Sequence, residues 1–342
     1  MTEFKEPVLW KHQEHGVSLA INRTSFAFLF DVGTGKTLTA ITTIRNWYAQ
    51  NNCILPTLIL SPKVTLDNWK SEWHNFSKVA DEKVIVLKGP TKKRIKVLQD
   101  AISKYGRSLI VITNYEGLRS IDFFKALSND LNPSVLVCDE SHRCKTHNSK
   151  NTKLTTMLAD KCEYKILLTG TLVTNSEFDI FSQWRILDGG KSFGKNFFHF
   201  RNQYFYDHNS GMPKDKYFPD FRIRAGAYEK MESFLKLSSL KALKEDCIDL
   251  PELLEKDIYI DMTPSQRKQY EAMKKSLVTE IKEGVFATAD LALVKILRLR
   301  QIASGFIKDE DGSTRPGIPV EENFFDNSIA TYNSEVKDFP TY

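Results

Sequence analysis

The chain has 342 residues, 41% hydrophobic and 27% charged, an ordinary globular profile with apolar material for a large core and length for two domains. Its 48 basic and 43 acidic side chains leave a net charge of +5, which permits nucleic-acid binding without demanding it. The cysteines, Cys53, Cys138, Cys144, Cys162 and Cys247, form no C-x-x-C pair, which argues against a zinc site or a disulfide framework. No apolar run approaches the ~18 residues of a bilayer span, and the N-terminus lacks a signal-peptide pattern, so a cytoplasmic or nuclear protein is expected.

In chain order, short apolar runs stand at residues 26–30, 58–60, 84–87, 109–112, 135–138 and 166–168. They do not alternate, as strands of a parallel sheet do not when both faces are covered. Between them lie segments of helical period. After Lys36, for example, Leu38, Ile41, Ile44, Trp47 and Tyr48 make one apolar stripe. Strands alternating with helices predict an α/β, doubly wound domain over residues 1–188. The character changes after Asp188-Gly189-Gly190. Residues 189–250 mix aromatic and basic side chains without strand alternation and read as a mainly helical insertion. Residues 256–262 then alternate like a strand, a long helix follows Thr263-Pro264-Ser265, and another covers 291–302. Residues 309–342, rich in Pro, Gly and acidic side chains, read as a poorly ordered tail.

Three strand ends carry chemistry. The run 26–30 leads into Asp31-Val32-Gly33-Thr34-Gly35-Lys36-Thr37, which opens a helix. The glycines let backbone N–H groups turn onto an anion, and the helix N-terminus adds positive potential. Lys36 is placed to reach the β- and γ-phosphates of ATP, and the Thr37 hydroxyl to coordinate Mg²⁺. Gly33, Thr34 and Gly35 complete the cradle. Phe30 stands where the general P-loop pattern has glycine. The run 135–138 ends in Asp139-Glu140-Ser141-His142, at the edge where parallel sheets bind ligands. Asp139 is expected to hold Mg²⁺ and Glu140 to orient and deprotonate the attacking water. Alone, the pair is also compatible with an ordinary acidic turn, and His142 with a structural role. The run 166–168 ends in Thr169-Gly170-Thr171, which alone could be a plain strand end.

In this order the motifs resemble those of the superfamily-two helicase-like ATPases, most closely the Swi/Snf-type DNA translocases. The resemblance covers roughly residues 7–307. It implies a RecA-like doubly wound parallel sheet of the P-loop NTPase class over 1–188, a mainly helical insertion, and the incomplete start of a second lobe at 251–308. It assigns adenine contact to Gln13, within Leu9-Trp10-Lys11-His12-Gln13. It assigns nucleic-acid contact to Lys63, in the segment from Leu58 to Trp69, and to Thr113 and Asn114, in Ile112-Thr113-Asn114-Tyr115. It assigns coupling of ATP state to DNA grip to His142, Thr169, Gly170 and Thr171, with Asn175 nearby. The second-lobe entry resembles Met262-Thr263-Pro264-Ser265-Gln266 and Leu297-Arg298-Leu299-Arg300-Gln301-Ile302; the latter favours this branch over RNA helicases. The implied partner is the phosphate backbone of duplex DNA. Lys92, Lys93 and Arg94 are further phosphate-contact candidates, although a solvated basic face would read alike. The aromatics of residues 193–224 could stack on bases, with core packing the plainer use. No second-lobe motif with catalytic arginines is found, so a partner chain is expected to supply one for full turnover.

Overall fold

The computed structural model describes residues 6–173, 176–214, 217–247, 261–282, 289–304, 306–308 and 314–316. The chain forms two compact units, Met1–Pro251 and Glu252–Tyr342.

The first unit runs α1 (Lys11–Ala20), β1 (Ser25–Phe30), α2 (Lys36–Gln50), β2 (Thr57–Leu60), α3 (Leu66–Phe76), β3 (Val84–Val86), α4 (Thr91–Tyr105) and β4 (Ile110–Thr113). It continues through α5 (Ile121–Lys125), β5 (Val135–Asp139), α6 (Lys150–Ala159), β6 (Tyr164–Leu168), α7 (Asp179–Asp188) and α8 (Phe197–Tyr204). Then come β7 (Phe205–Asp207), β8 (Phe221–Ile223), α9 (Ala227–Ser238), β9 (Ser239–Ala242) and α10 (Lys244–Cys247). Seven strands form one parallel sheet in the order β3-β4-β2-β5-β6-β1-β9.

Alternate side chains of each strand point to opposite faces, and helices cover both. Phe26, Phe28 and Phe30 of β1, with Ile59, Ile112, Val137 and Ile166, pack against Ile41, Ile44 and Trp47 of α2 and Trp69 and Trp73 of α3. Ala27, Leu58, Leu60, Val111, Leu136 and Leu167 pack on the other side against α4 to α9, through Leu98, Phe123, Leu158, Trp184 and Met231. Burial on both sides is the reason the strands read as unbroken apolar runs. It also accounts for Phe30, whose ring is buried beside Phe28, 5.4 Å between centroids, and edge-on to His12 at 5.2 Å.

Residues 189–250, expected as mainly helical, contain α8 and α9 but also the antiparallel ribbon β7–β8 and the sheet strand β9. Strand β9 pairs with β1 from Ala27↔Ser239 to Phe30↔Ala242. Phe193, Phe200, Tyr204 and Phe205 of this segment are buried in the α4–α9 core, with Phe197, Phe221 and Phe234 packed against it, while Phe198, Tyr206, Tyr217, Phe218 and Tyr228 are exposed.

The second unit pairs α11 (Pro264–Lys282) with α12 (Ala289–Ala303), followed by the antiparallel strand pair β10 (Phe306–Lys308) and β11 (Thr314–Pro316). Thr263 and Gln266 cap α11 reciprocally: Gln266 N–H donates to Thr263 Oγ1 at 3.3 Å, and Thr263 N–H to Gln266 Oε1 at 2.9 Å. The Gln266 amide also reaches Ile302 O at 3.4 Å, fastening α11 to the end of α12. Most of the strand expected at 256–262, and most of the tail expected at 309–342, lie outside the described residues. Among the described residues no helix is long and apolar enough to cross a membrane.

Phe28 is fully buried on β1. Phe28→Ala is expected to lower the unfolding free energy by about 3–5 kcal/mol. Ile121→Ala, at an exposed site, should stay within about 0.5 kcal/mol, both measured by urea denaturation.

Candidate functional site

Because β5, β6, β1 and β9 are neighbours and parallel, their C-terminal ends deliver four loops side by side. After β1 the chain turns through Gly33 and Gly35, at φ 87 and φ 77, and enters α2. A side chain would be strained at either angle. The first-turn N–H groups of α2 have no helical partner, and no acidic residue lies in that turn. Lys36 Nζ folds back on the loop, donating to Phe30 O at 2.9 Å and Asp31 O at 3.2 Å. Thr34 is buried, its hydroxyl on Asp31 O at 2.8 Å, and Thr37 is half-buried.

Gln13 projects from α1 onto this loop. It is buried, its Nε2 donates to Thr34 O at 3.2 Å and Gly35 O at 3.4 Å, and its Oε1 accepts from Trp10 N–H at 2.8 Å. His12 Nε2 lies 2.9 Å from the same Thr34 carbonyl.

At the end of β5, Asp139 is buried, and its Oδ2 accepts from Ser61 Oγ at 2.6 Å and Trp69 Nε1 at 2.9 Å. The Tyr115 hydroxyl donates to its carbonyl at 2.7 Å. Glu72, one turn beyond Trp69 on α3, has its pKa raised from an ordinary 4.5 by burial and then by the Asp139 charge. Glu140 adopts φ 50, unusual for a residue with a side chain. That turn sets His142 Nδ1 3.3 Å from Glu140 Oε2 and 3.3 Å from Thr169 Oγ1. Thr169 Oγ1 in turn accepts from Thr171 N–H at 3.1 Å. Gly170 lies tight against the phosphate loop: a Cβ there would stand 3.2 Å from Phe30 O and 3.5 Å from the Asp31 Cα. A second link runs through buried Gln183, which meets Ser141 Oγ at 2.6 Å and donates to Leu172 O at 2.9 Å. Lys36, Thr37, Asp139, Glu140, His142, Thr169 and Gly170 thus belong to adjoining loops, while Asn175 lies outside the described residues.

The residues singled out for nucleic acid divide in two. Lys63, after β2, and Lys92 and Lys93, in the first turn of α4, are exposed. Thr113, Asn114 and Arg94 are instead turned into the protein. Thr113 is fully buried with its hydroxyl on Leu87 O at 3.2 Å. Buried Asn114 donates to Glu116 Oε2 at 2.6 Å and accepts from Arg94 Nη1 at 2.8 Å. Arg94 also donates to Gly89 O at 2.7 Å and stands over the Phe123 ring at 5.5 Å. Burial draws its pKa down from the usual guanidinium value. Thr113 and Asn114 thus fix the turn after β4, and the half-buried Arg94 is held to it through Nε and Nη1.

Two features are not legible in the sequence. Ser61 and Trp69 lie in the segment assigned to nucleic acid, yet their side chains hold a carboxylate 78 and 70 residues away. Asp31 bonds across the sheet edge to the chain after β9: its Oδ2 accepts from Lys244 N–H at 3.0 Å.

A model of the family described as SNF2-related domain matches residues 12–305. The chain is 28% identical over 307 residues to an uncharacterized ATP-dependent helicase of Mycoplasma genitalium, covering 89% of this chain and 27% of that one. It is 26% identical over 288 residues to protein p41 of the Acyrthosiphon pisum secondary endosymbiont phage 1, covering 82% of this chain and 60% of the relative. The chain therefore spans less than two thirds of either relative. Among solved structures, the SWI2/SNF2 ATPase core of Sulfolobus solfataricus in complex with dsDNA superposes with a TM-score of 0.57 at 22% identity, covering 98% of this chain and 66% of that one. That likeness is one of fold, the α/β RecA-like lobe.

The raised pKa of Glu72 has a sign. A carboxyl raised in the folded state adds stability below its unfolded value, and that contribution is lost as pH rises through the folded value. Glu72→Gln should therefore be more stable than the parent at neutral pH. Its advantage should vanish below the ordinary value of 4.5, as urea melts at several pH values would report. An equal advantage at all pH values would contradict the assignment.

Proposed function

The chain belongs to the SNF2-related family, and on that premise we propose that it binds ATP with Mg²⁺ and couples hydrolysis to movement along duplex DNA. One observation carries this reading: loop 31–37, the Asp139–Glu140 pair and the turn 169–171 converge at the adjoining ends of β1, β5 and β6.

The residues present fit nucleotide and metal. Gly33, Thr34 and Gly35 shape a backbone cradle, and the α2 N-terminus favours phosphate charge. Lys36 exchanges the Phe30 and Asp31 carbonyls for the β- and γ-phosphates. Gln13 exchanges part of its bonding to the loop backbone for the adenine, as Lys36 does for the phosphates. Among the described residues no group of three or more His, Cys, Asp or Glu side chains could hold a metal alone. Magnesium does not need such a cage, because it keeps waters and phosphate oxygens as ligands. Thr37 offers a hydroxyl and Asp139 a carboxylate whose Oδ2 is fixed by Ser61 and Trp69, so Oδ1 remains for the ion or its water. Bound there, Mg²⁺ would neutralise phosphate charge. Glu140 orients the attacking water and accepts its proton, and His142 carries a change at Glu140 to Thr169 and the 169–171 turn.

The solved neighbour is in complex with dsDNA. Here Lys63, Lys92 and Lys93 are the exposed cations proposed to meet backbone phosphates. Lys92 and Lys93 sit in the first turn of α4, where positive charge opposes the helix dipole. A phosphate there removes that conflict. A second lobe is proposed to supply the transition-state arginine, a contribution of roughly 10³–10⁵ in rate in related phosphoryl-transfer systems.

Glu140→Gln is expected to bind ATP but lose about 10²- to 10⁴-fold in turnover, whereas Lys36→Ala loses binding, as read by calorimetry alongside a phosphate-release assay. Equal turnover in Glu140→Gln would contradict its role as base. Duplex DNA affinity should fall with added salt, by about 0.9 log units per tenfold salt for each phosphate contact. Replacing Lys92 and Lys93 together should flatten that slope by about two contacts, and a slope indifferent to both lysines would remove them from the interface.

A further inference from the structure

Asp31 stands at a junction of three loops. Its carbonyl accepts from Lys36 Nζ at 3.2 Å, Thr34 Oγ1 at 2.8 Å and Thr34 N–H at 3.4 Å, all within the phosphate loop. Its own N–H donates to Ala242 O at 3.0 Å, and its Oδ2 accepts from Lys244 N–H at 3.0 Å, both on the segment where the chain leaves β9. Gly170 of the 169–171 turn lies against its Cα. The bonded partners Asp31 and Lys244 are 213 residues apart in sequence. The carboxylate therefore does not close its own loop but reaches the exit of the sheet.

We propose that Asp31 is a positioning residue that ties the state of the phosphate-binding loop to the β9–α10 exit. This rests on the ATP-binding reading above. The Lys36 ammonium that binds phosphate is one of the donors on the Asp31 carbonyl. Drawing it onto a nucleotide changes what holds Asp31 on the loop side. The backbone bond to Ala242 holds the register of β9, and the carboxylate bond to Lys244 carries that change into the exit segment. Asp31 touches no reacting atom in this scheme; it acts through Lys36 on one side and the exit segment on the other.

The test uses the full 342-residue chain with Mg²⁺ and a non-hydrolysable ATP analogue, reading amide hydrogen exchange over residues 239–247. In the parent, analogue binding should change exchange at residues 243–247. Asp31→Ala removes the acceptor. Lys244→Pro removes the donor at a first helical position, where proline is tolerated. Each variant should bind the analogue within about threefold of the parent, lose the exchange response, and turn ATP over about tenfold more slowly. Asp31→Asn keeps an acceptor oxygen and should restore the response. The double variant should be no worse than either single one, because both remove the same bond. The proposal is overturned if Asp31→Ala still responds, if its affinity falls as far as its turnover, or if the parent binds the analogue with no change at 243–247. Failure of the parent to bind the analogue at all would overturn the ATP reading itself, and with it this one.

Discussion

The pairing of β1 between β6 and β9 governs the rest of the molecule. A parallel sheet needs cover on both faces, so every connection must cross over through a helix and every strand must run the same way. All loops of consequence then emerge at one edge. In the order β5-β6-β1-β9, the carboxylate pair, the Thr-Gly-Thr turn, the phosphate loop and the chain exit become immediate neighbours. Three phenylalanines of β1 anchor this arrangement under α1–α3, and the close approach of Gly170 to Phe30 and Asp31 shows how little space separates adjoining loops.

Within that edge, polar groups are placed by bonds that are hard to satisfy in any other arrangement. Asp139 is buried and charged groups are costly to bury without partners; Ser61 and Trp69 meet one of its oxygens and thereby fix the other. Glu140 takes a left-handed backbone step that brings His142 within reach of both Glu140 and Thr169. The same economy of partners explains why Thr113 and Asn114 stay inside, their polar atoms bonded around the turn after β4, with half-buried Arg94 held beside them. The exposed cations Lys63, Lys92 and Lys93 remain for an external anion.

The apolar strands and the phosphate loop are legible in the sequence because their physics is local. Six buried strands read as continuous apolar runs, and Gly33, Gly35 and Lys36 sit within a few residues of one another. Strand β9 is not legible for the opposite reason. It is a short edge strand, Ser-Leu-Lys-Ala, half open to solvent, and its partner β1 lies more than 200 residues earlier. Nor do Ser61, Trp69 and Lys244 announce what they bind, since no spacing rule connects a strand-end hydroxyl or a backbone N–H to a distant carboxylate. Burial, not motif, also separates Thr113 and Asn114 from the lysines with which they were grouped.

The ends of β1 and β5, on either side of β6, are proposed to form one Mg²⁺–ATP site. A crystal structure with Mg²⁺ and a non-hydrolysable ATP analogue tests it most directly. The β- and γ-phosphates should lie in the cradle of residues 33–36, within hydrogen-bond reach of Lys36, and the ion between Thr37 Oγ1 and Asp139, directly or through one water. Nucleotide bound elsewhere, or an ion that leaves Thr37 and Asp139 without contact, would contradict it.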